Sequence, residues 1–451
     1  MELYCGRIGI VDLEKNEVRE EPLDEDFVRG HIGGAPANLA LYNRYKDSNP
    51  IIFGTGPFTA TMVPGCALGV ITAKSPYTGV VCHASFVLYG GSEMKLSGFD
   101  FLVILGMSDK PVHLWVHDEI VDIHEGSSIW EKDTWETTDI LREKHGDPLI
   151  QVLVIGKAGE KKIRASQVVL NYWGTGDRWG FGSVLGEKRV KAIAMKGLGF
   201  LEMEDSANFI DSCASLRQMI GETGRLQKQG CIAFSTDLGA EDLLTWMGHL
   251  IHRYSSCFGC MYTCNTFVKY NEDPKILVEK GVKEPGFLIT DLSGLLGFKK
   301  AGVSAEESGR GLEISARMGI DPTVLSKRVG ESGGKALREI ERCAAEMLSD
   351  TSGQFTPWPI DGDDHRLEQE ASIFSPWTPP RPIFETVALS PNPNEITNWW
   401  LKRNSLAYTF GVCPIFTQMN PEINEETLLE LLKLGTGMDL TTKELQEILL
   451  K

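Results

Sequence analysis

Three cysteines lie close together in the segment "SSCFGCMYTCN", which places Cys257, Cys260 and Cys264 at Cys-x2-Cys-x3-Cys spacing. Soft thiolate ligands match iron, and three thiolates at this spacing can hold three corners of an iron–sulfur cubane. The sequence therefore predicts a [4Fe–4S] cluster whose fourth ligand comes from another part of the chain. Two alternatives stay open, namely a structural zinc site, which usually shows paired Cys-x2-Cys motifs, and a chance grouping with no ligand role.

The other seven cysteines are scattered. Cys413 lies in "YTFGVCPIF", an apolar segment flanked by glycine, and by itself it is typical of a buried core cysteine. Six more are interpreted as small hydrophobic residues: Cys5, Cys66, Cys82, Cys213, Cys231 and Cys343. A local cysteine cluster in a large chain indicates metal binding rather than disulfides, so we expect a reducing, cytoplasmic compartment.

The elements that must position these cysteines change in character along the chain. From Met1 to about Glu204, short runs rich in Val, Ile and aromatic residues are separated by glycine and predict strands. These runs are "RIGIVDL", "PIIFGTG", "LGVITAKSP", "FLVILGM", "PVHLWVHDEIVDI", "IQVLVIG" and "VKAIAMKGLGF". One helix is predicted for "ANLALYNRYK", which follows Gly33 and Gly34.

From Asp205 onward the hydrophobic spacing becomes helical, as in "SANFIDSCASLRQMIGETG", "GAEDLLTWMGHLIHRYSS" and "GGKALREIERCAAEMLSD". Predicted N-caps are Ser206, Ser304 (with Glu307 in a capping box), Asn424 and Thr441. The proline-rich stretch from Thr356 to Asn394 is predicted to be extended. The fold class is therefore α+β. Residues 1–204 form a β-rich domain with two sheets, residues 205–350 a helical domain with the cysteine motif, and residues 351–451 an extended and then helical domain.

Composition narrows the function class. The chain has 451 residues and a formal net charge of -17, which argues against a nucleic-acid surface because phosphate binding needs clustered Lys and Arg. The N-terminus lacks the basic and apolar regions of a signal peptide, and no apolar run is long enough to span a bilayer. We expect a protein that does not insert into membranes and acts on a small molecule.

Several segments, taken in order, resemble the aldehyde ferredoxin oxidoreductase family. They are "HIGGAPANLALY", "GTGPFTATMVPGCALGVITAKSPYTG", "YGGSEMKLSGFDFLVILG", "SSIWEKDTWET", "VIGKAGEKKIRAS", "GDRWGFGSVLGEKRVKAIAMKG", the cysteine motif, "GVSAEESGRGLEISARMGID" and "LAYTFGVCPIF". The resemblance covers nearly the whole chain. Members of this family bind tungsten between two pyranopterins, with a cubane cluster nearby.

The resemblance implies site residues. It makes Cys413 the fourth cluster ligand and implies a tungsten (or molybdenum) bis-pyranopterin in the N-terminal domain. Residues implied to contact the pterins are Lys74, Ser75, Gly90, Gly91, Arg178, Gly180, Gly182, Gly302 and Gly411. Glycine turns can offer N–H groups to phosphates, and an arginine can bind a phosphate with two hydrogen bonds. Read without the resemblance, these glycines only turn strands and Arg178 is a surface charge.

The chain also departs from the family pattern. The family holds each pterin ring with an Asp in Asp-x-x-Gly-Leu-(Cys or Asp), but here Tyr408 and Lys299 occupy those positions, with Ser304 ending the first copy. An alternative alignment on "DLSGLL" keeps Asp291. Leu68 and Leu88 replace an expected basic residue and an expected Asn. The stretch after the cysteine motif is shorter than in the family, and typical relatives continue beyond "TTKELQEILLK" into further helices.

Two functions remain open. The first is an enzyme that oxidises an aldehyde or related oxo substrate, or runs the reverse reaction, and passes single electrons through the cluster to ferredoxin or a partner subunit. The second is an electron-transfer or scaffold subunit that keeps the cluster and has lost or altered the pterin site. A homodimer or hetero-oligomer is expected from the family. No catalytic residue can be assigned; Glu284 and the pair His249 and His252, at helical i, i+3 spacing, are the weak candidates.

Overall fold

The structure is a computed structural model that describes residues 1–224, 226, 230, 232, 243–270, 286–290, 292–349 and 393–449. It has two six-stranded sheets in the N-terminal part, a small third sheet, and mainly helices in the remainder. The predicted α+β class with two N-terminal sheets is therefore confirmed. The domain boundaries stay predictions, although the last strand of the second sheet ends at Lys196 and the first long helix begins at Ser206.

The first sheet has the strand order β2-β1-β6-β3-β4-β5, with β1 and β6 parallel and the other neighbours antiparallel. Its strands are β1 (Arg7–Asp12), β2 (Glu17–Pro22), β3 (Ile51–Thr55), β4 (Gly69–Lys74), β5 (Val81–Phe86) and β6 (Phe101–Leu105). The central strands β3 and β6 are buried along their whole length, which explains their continuous apolar sequences "IIFGT" and "FLVIL". The edge strand β2, "EVREEP", is largely exposed and charged, and such an edge discourages pairing with another chain.

The second sheet has the order β11-β10-β9-β12-β7-β8, with β12 and β7 parallel. Its strands are β7 (Val112–His117), β8 (Ile120–Glu125), β9 (Gln151–Ile155), β10 (Val168–Leu170), β11 (Trp173–Gly174) and β12 (Val190–Lys196). Side chains of both sheets, among them Phe53 and Leu102 of the first and Leu114 and Leu153 of the second, belong to one hydrophobic core. All seven predicted strand segments lie on strands of these two sheets.

Helices connect and cover the sheets. In the N-terminal part they are α1 (Glu25–His31), α2 (Gly34–Tyr45), α3 (Gly90–Leu96), α4 (Thr134–His145), α5 (Lys157–Glu160) and α6 (Phe181–Glu187). Later come α7 (Ser206–Glu222), α8 (Leu243–Met247), α9 (Ser293–Lys300), α10 (Ala305–Met318), α11 (Pro322–Ser332), α12 (Leu337–Met347), α13 (Pro393–Phe410), α14 (Pro414–Met419), α15 (Glu425–Thr436) and α16 (Thr442–Leu449). The helix predicted after Gly33 and Gly34 is α2.

One helix prediction was wrong in part. The segment "GAEDLLTWMGHLIHRYSS" has only the short helix α8 within its described residues, followed by the strand β13 (Ile251–Ser255). This strand pairs with β14 (Asn265–Lys269), which pairs with β15 (Gly286–Ile289), so a third sheet brackets the cysteine motif. The predicted extended stretch from Thr356 lies outside the described residues up to Pro393, where α13 begins.

The helix caps confirm most of the sequence predictions. Ser304 and Asn424 accept hydrogen bonds from Glu307 N and Thr427 N as N-caps. Thr441 exchanges reciprocal hydrogen bonds with Glu444, which completes a capping box. Two details were wrong. Asp205, not Ser206, caps α7 by accepting from Asn208 N, and the Glu307 carboxylate accepts instead from Leu337 N, so no capping box forms at Ser304.

Candidate metal centre

The cysteine motif forms the connection between β13 and β14. Cys257 is buried, whereas Cys260 and Cys264 are half-buried. Phe258 N donates to Leu88 O at 2.8 Å, which ties the motif to the N-terminal part of the chain. Gly259, between the first two cysteines, has φ +63°, a left-handed conformation that favours glycine. The short loop therefore presents its cysteines from a fixed backbone.

Cys413, the predicted fourth ligand, comes from a distant part of the sequence. It follows α13 and is the N-cap residue of α14, and its backbone N–H donates to Gly65 O at 2.8 Å. Burial, followed by the effect of the Cys257 thiol, raises the pKa of the Cys413 thiol to about 12. Burial likewise raises the pKa of Cys260, followed by the effects of Cys413, Cys257 and Cys66. Cys260, Cys264 and Cys413 pack against one hydrophobic cluster, and Cys257 belongs to a second cluster against which Cys260 also packs.

Cys264 is the remaining member of the predicted set of cluster ligands. Its thiol lies 3.8 Å from Asn265 Oδ1, and Asn265 Nδ2 donates to Cys257 Sγ at 3.7 Å, so the amide of Asn265 joins these two cysteines. Within the described ranges, no group of three or more His, Cys, Asp or Glu side chains is arranged to hold a single metal ion. A cubane makes a different demand, because each of its four thiolates binds a different iron atom. The ligand set for the cluster stays a prediction.

A loop of the first sheet connects the two cysteine segments. We call residues Gly56–Leu68 the bridging loop. On one side, Phe58 N donates to Phe410 O at 3.0 Å and Leu68 N donates to Gly411 O at 3.3 Å. The bridging loop thus fixes the backbone that leads into Cys413.

On its other side the bridging loop contacts the cysteine motif. A Cβ atom on Gly259 would lie 2.7 Å from Cys66 Sγ, so the thiol of Cys66 packs directly against the motif. The guanidinium of Arg217, on α7, donates to Met62 O at 3.0 Å and to Gly259 O at 2.7 Å. Arg217 was not predicted from the sequence, and Cys66 was interpreted only as a small hydrophobic residue. The available signal was that "GPFTATMVPGCAL" carries a cysteine and two glycines in one loop.

The residues implied to contact pterins occupy different environments. Lys74 is exposed at the end of β4. The buried Ser75 hydroxyl donates to Trp179 O at 2.9 Å and accepts from Tyr77 N at 3.2 Å, so it is used within the protein. Their contact with a pterin stays a prediction.

The glycines implied to contact pterins each have a local packing reason. A Cβ on Gly91 would lie 2.6 Å from Gly69 N, and one on Gly182 would lie 2.8 Å from Gln167 O. The other four make similar close approaches: Gly90 to Leu170, Gly180 to Arg164 O, Gly302 to Lys335 and Gly411 to Thr59. Gly180, Gly302 and Gly411 also have positive φ angles. These constraints require glycine whether or not a cofactor is bound.

Arg178 borders a small cavity between the second sheet and the helices. The guanidinium is buried, with Nε 3.9 Å from Asp321 Oδ2 and Nη1 donating to Asp177 O at 3.2 Å. The cavity has a volume of about 20 Å³, which suits a water molecule rather than a pterin. Its other lining residues include Gln167, Thr175, Thr290 and Ser315. As described, the surroundings of Arg178 do not fit a pterin phosphate.

The N-terminal part of the chain is similar in sequence to known proteins. Residues 8–197 match the model of the aldehyde ferredoxin oxidoreductase N-terminal domain. The tungsten-containing aldehyde ferredoxin oxidoreductase of Pyrococcus abyssi is 35% identical over 218 residues, which cover 46% of this chain and 36% of that protein. Over residues 8–197 the chain is therefore similar to the N-terminal domain of aldehyde ferredoxin oxidoreductases. It matches little more than a third of the length of this curated relative.

Other relatives extend the comparison. A protein of Pyrococcus furiosus named as the WOR-like subunit of an aliphatic sulfonate oxidoreductase is 29% identical over 44% of this chain and 35% of its own length. The solved active site complex BamBC of benzoyl coenzyme A reductase, in complex with 1,5-dienoyl-CoA, matches with a TM-score of 0.77. That match covers 99% of this chain and 87% of the other at 17% identity, so it shows that the fold is shared along the whole chain.

The departures from the family pattern can now be placed. Tyr408 is buried in an apolar cluster with Leu68 and Trp400. Leu88 is buried at φ +59°, and its carbonyl accepts from Phe258 N, so it contacts the cysteine motif. Lys299 lies on α9, with its ammonium 5.7 Å from the centroid of the Trp246 ring.

Among the remaining candidates, the two described histidines do not form a site. Glu284 and Asp291 lie outside the described residues. His249 is in a short 3-10 turn and His252 on β13, so the helical spacing predicted for them was wrong. His249 Nε2 lies 2.9 Å from Glu306 Oε1, on the exposed surface. In the part of the chain that the structure describes, none of the helices is long and apolar enough to cross a membrane.

Proposed function

We propose that the chain is an iron–sulfur oxidoreductase subunit. It binds one [4Fe–4S] cluster through Cys257, Cys260, Cys264 and Cys413 and carries single electrons to or from ferredoxin or another electron-transfer subunit. The observation that carries this proposal is the position of Cys413, which comes from a distant part of the chain and packs against the same hydrophobic cluster as Cys260 and Cys264. Similarity to a family of oxidoreductases supports the same function.

The chemistry of the donor set suits a cluster. Burial raises the pKa values of Cys257, Cys260 and Cys413, which favours their protonated thiol forms when no metal is present. Iron binds the thiolate, so cluster assembly releases these protons and gains a ligand set already gathered by the fold. Asn265 donates to the Cys257 sulfur, and hydrogen bonds to ligand sulfurs are one of the means by which a protein sets a cluster potential.

Analysis of the full chain purified without oxygen tests this function. We expect brown protein with about four iron and four sulfide per chain, and an electron paramagnetic resonance signal of a [4Fe–4S]⁺ cluster after reduction with dithionite. Zinc in place of iron, or colourless protein after reconstitution with iron and sulfide, would contradict the proposal. Reduced ferredoxin or viologen should exchange electrons with the cluster in stopped-flow experiments.

A second candidate is a complete tungsten enzyme. It is favoured by the relatives named as tungsten-containing, which align with the N-terminal half of this chain. A tungsten or molybdenum pterin would supply the two-electron chemistry that oxidises an aldehyde or another oxo substrate, or reduces the corresponding acid. The burial of Tyr408 among apolar side chains, at a position where the resemblance expects a pterin-binding Asp, counts against it and favours the subunit role.

Elemental and pterin analysis of the native protein separates the two candidates. The subunit role predicts iron without tungsten or molybdenum, no aldehyde-dependent reduction of viologen dyes by the purified chain, and co-purification with a partner that carries its own redox centre. Stoichiometric tungsten with released pterin, together with aldehyde oxidation by the chain alone, would instead establish the enzyme. Sizing the native assembly decides between homodimer and hetero-oligomer.

A further inference from the structure

The feature that leads beyond this function is a buried lysine on α3. Lys95 has no exposed surface, and lysines are almost never fully buried unless they are paired. Its Nζ donates to Gly56 O at 2.7 Å and to Pro57 O at 3.0 Å, and it lies 5.4 Å from the centroid of the Tyr4 ring. Its hydrogen-bond partners are thus neutral carbonyl oxygens, which solvate an ammonium without cancelling its charge.

A second buried lysine provides a contrast within the same chain. Lys191, on β12 of the second sheet, forms an ion pair with the carboxylate of Glu160 and donates to Lys132 O at 2.8 Å. Both Lys191 and the Glu160 side chain are buried, so this charge is compensated where it stands. Burial lowers the pKa of Lys95, and the buried carboxylate of Asp100 opposes this through space by favouring the ammonium form. The same carboxylate accepts from Gly6 N at 2.8 Å.

The start of the bridging loop lies between the ammonium of Lys95 and the cysteine site. Its two acceptors begin the bridging loop, and the Cα of Gly56 would lie 3.1 Å from a Cβ on Gly411, two residues before Cys413. Cys66, in the same loop, packs against Gly259 inside the cysteine motif. Both cysteine segments are thus reached from Lys95 through this one loop.

We propose that Lys95 is a positioning residue that also tunes the cluster: its buried charge raises the reduction potential of the [4Fe–4S] cluster. This inference rests on the proposed function. One-electron reduction adds a negative charge to the cluster, and a fixed positive charge nearby stabilises the reduced form relative to the oxidised form. The effect is large because the intervening protein is buried and screens charge weakly.

Three variants separate charge from packing. Lys95→Gln removes the charge but keeps an amide that can donate to the Gly56 and Pro57 carbonyls, with a side chain one bond shorter. Lys95→Met removes both the charge and the donors. Lys191→Met is the matched control, because it removes a buried lysine whose charge is compensated by Glu160 in the other sheet. The full chain is purified anaerobically in each case, and its thermal unfolding is recorded.

The measurement is a mediated redox titration with dithionite, followed by electron paramagnetic resonance of the reduced cluster. We expect Lys95→Gln and Lys95→Met to make reduction harder by about tenfold in the equilibrium constant, a shift of about 59 mV to lower potential for one electron. Lys191→Met should leave the potential unchanged even if it lowers the unfolding temperature. An unchanged potential in Lys95→Gln, or an equal shift in Lys191→Met, would overturn the inference.

The outcomes also separate this inference from the proposed function. If wild-type protein holds no iron–sulfur cluster, the proposed function fails and Lys95 has nothing to tune. If wild-type protein holds the cluster and Lys95→Gln has the wild-type potential, the function stands and only the inference fails. A variant of Lys95→Met that does not fold leaves Lys95→Gln to decide.

Discussion

The N-terminal sheets meet the rest of the chain along two interfaces that are built in different ways. At the first interface, α2 and the bridging loop contact the end of α13 through backbone atoms. A Cβ on Gly34 would lie 1.7 Å from Tyr408 O, and one on Gly56 would lie 2.2 Å from the carbonyl carbon of Phe410. At these two glycines there is no space for a side chain, and this interface leads directly into Cys413.

At the second interface, α4 and the strands of the second sheet contact α10 and α11 through polar side chains as well as backbone atoms, such as Gln167 N, which donates to Gly319 O at 2.8 Å. Thr134 Oγ1 donates to Ala316 O at 2.9 Å, and Gln167 Nε2 donates to Ile320 O at 2.8 Å. Arg317 Nη1 donates to Asp133 Oδ2 at 2.9 Å. Side chains such as these can adjust their rotamers when a neighbour moves.

The difference between backbone and side-chain contacts can be explained by the residues that each interface positions. Backbone packed against backbone leaves few alternative positions, and a metal ligand needs that precision because its distance to the metal tolerates little error. Polar side-chain contacts specify which surfaces meet, but each contributes only a modest free energy. We therefore expect the first interface to fail abruptly when changed and the second to weaken gradually.

The largest effect is expected at the first interface. Gly34→Ala places a methyl group into Tyr408 O, at a residue with φ +50°, and should destabilise the protein by about 4 kcal/mol and lower cluster occupancy. Urea unfolding and iron analysis measure both. Gly30→Ala, in α1 with no atom within 4 Å of the new methyl, is the control and should be neutral or slightly stabilising. Equal behaviour of the two variants would remove the basis for the comparison.

A smaller effect is expected from Arg317 at the second interface. This guanidinium bonds to Asp133 and to Glu313 and lies 4.0 Å from the centroid of the Trp135 ring. Arg317→Met keeps much of the packing and loses the charge contacts, so we expect a loss of about 2 kcal/mol with full iron content. A loss of iron in this variant would show that the two interfaces are not independent.

We expect low pH to lower the stability of the second sheet, which positions α4 at the second interface. Burial, followed by the effects of their neighbours His124 and Lys144, lowers the pKa of His113 to about 3 and that of His145 to about 4. An unfolded histidine titrates near pH 6.5. Between that pH and about 4, the unfolded chain therefore binds protons that the folded chain does not, and stability falls as pH falls.

Urea midpoints between pH 7 and pH 5 check this expectation. Stability should decline with a slope of up to about 1.4 kcal/mol per pH unit for each such histidine. His113→Phe keeps a buried ring that cannot be protonated and should flatten the decline. Stability that rises as pH falls through this range, or a variant with the wild-type slope, would contradict the assignment.

The smallest effect is expected from Thr134→Val. The change keeps the shape of a fully buried side chain and removes the hydrogen bond to Ala316 O, so we expect a loss of about 1 kcal/mol. Differential scanning calorimetry should show a slightly lower unfolding temperature with unchanged iron content. A loss as large as that of Gly34→Ala would mean that the second interface is as intolerant as the first.

Much of the fold could be predicted from the sequence because periodicity reports on local structure. The seven strand segments of the first two sheets, the helix after Gly34 and the N-caps Ser304 and Asn424 follow from alternation, glycine placement and capping chemistry. The segment around His249 and His252 misled the prediction. Its apolar residues fit a helix, but pairing with β14 makes Ile251–Ser255 a strand.

The candidate site could be predicted only in part. Three of its cysteines are recognisable from their spacing, whereas Cys413 depended on a resemblance, because nothing local distinguishes it from a core cysteine. Lys95, Arg217 and the bridging loop act through backbone carbonyls, and any residue has a carbonyl. Such contacts leave no pattern in a sequence, so they emerge only when the chain is folded.

We propose that one cluster is bound by two segments that lie far apart in the sequence, namely the cysteine motif and Cys413. Iron content and electron paramagnetic resonance of anaerobic Cys413→Ala, compared with wild type and with the control Cys343→Ala, test it most directly. Cys343 is equally a thiol but is buried in a core of the helical part. We predict a four-iron cluster in wild type and in Cys343→Ala, and loss of the [4Fe–4S] signal in Cys413→Ala. An unchanged signal and iron content in Cys413→Ala would contradict the claim.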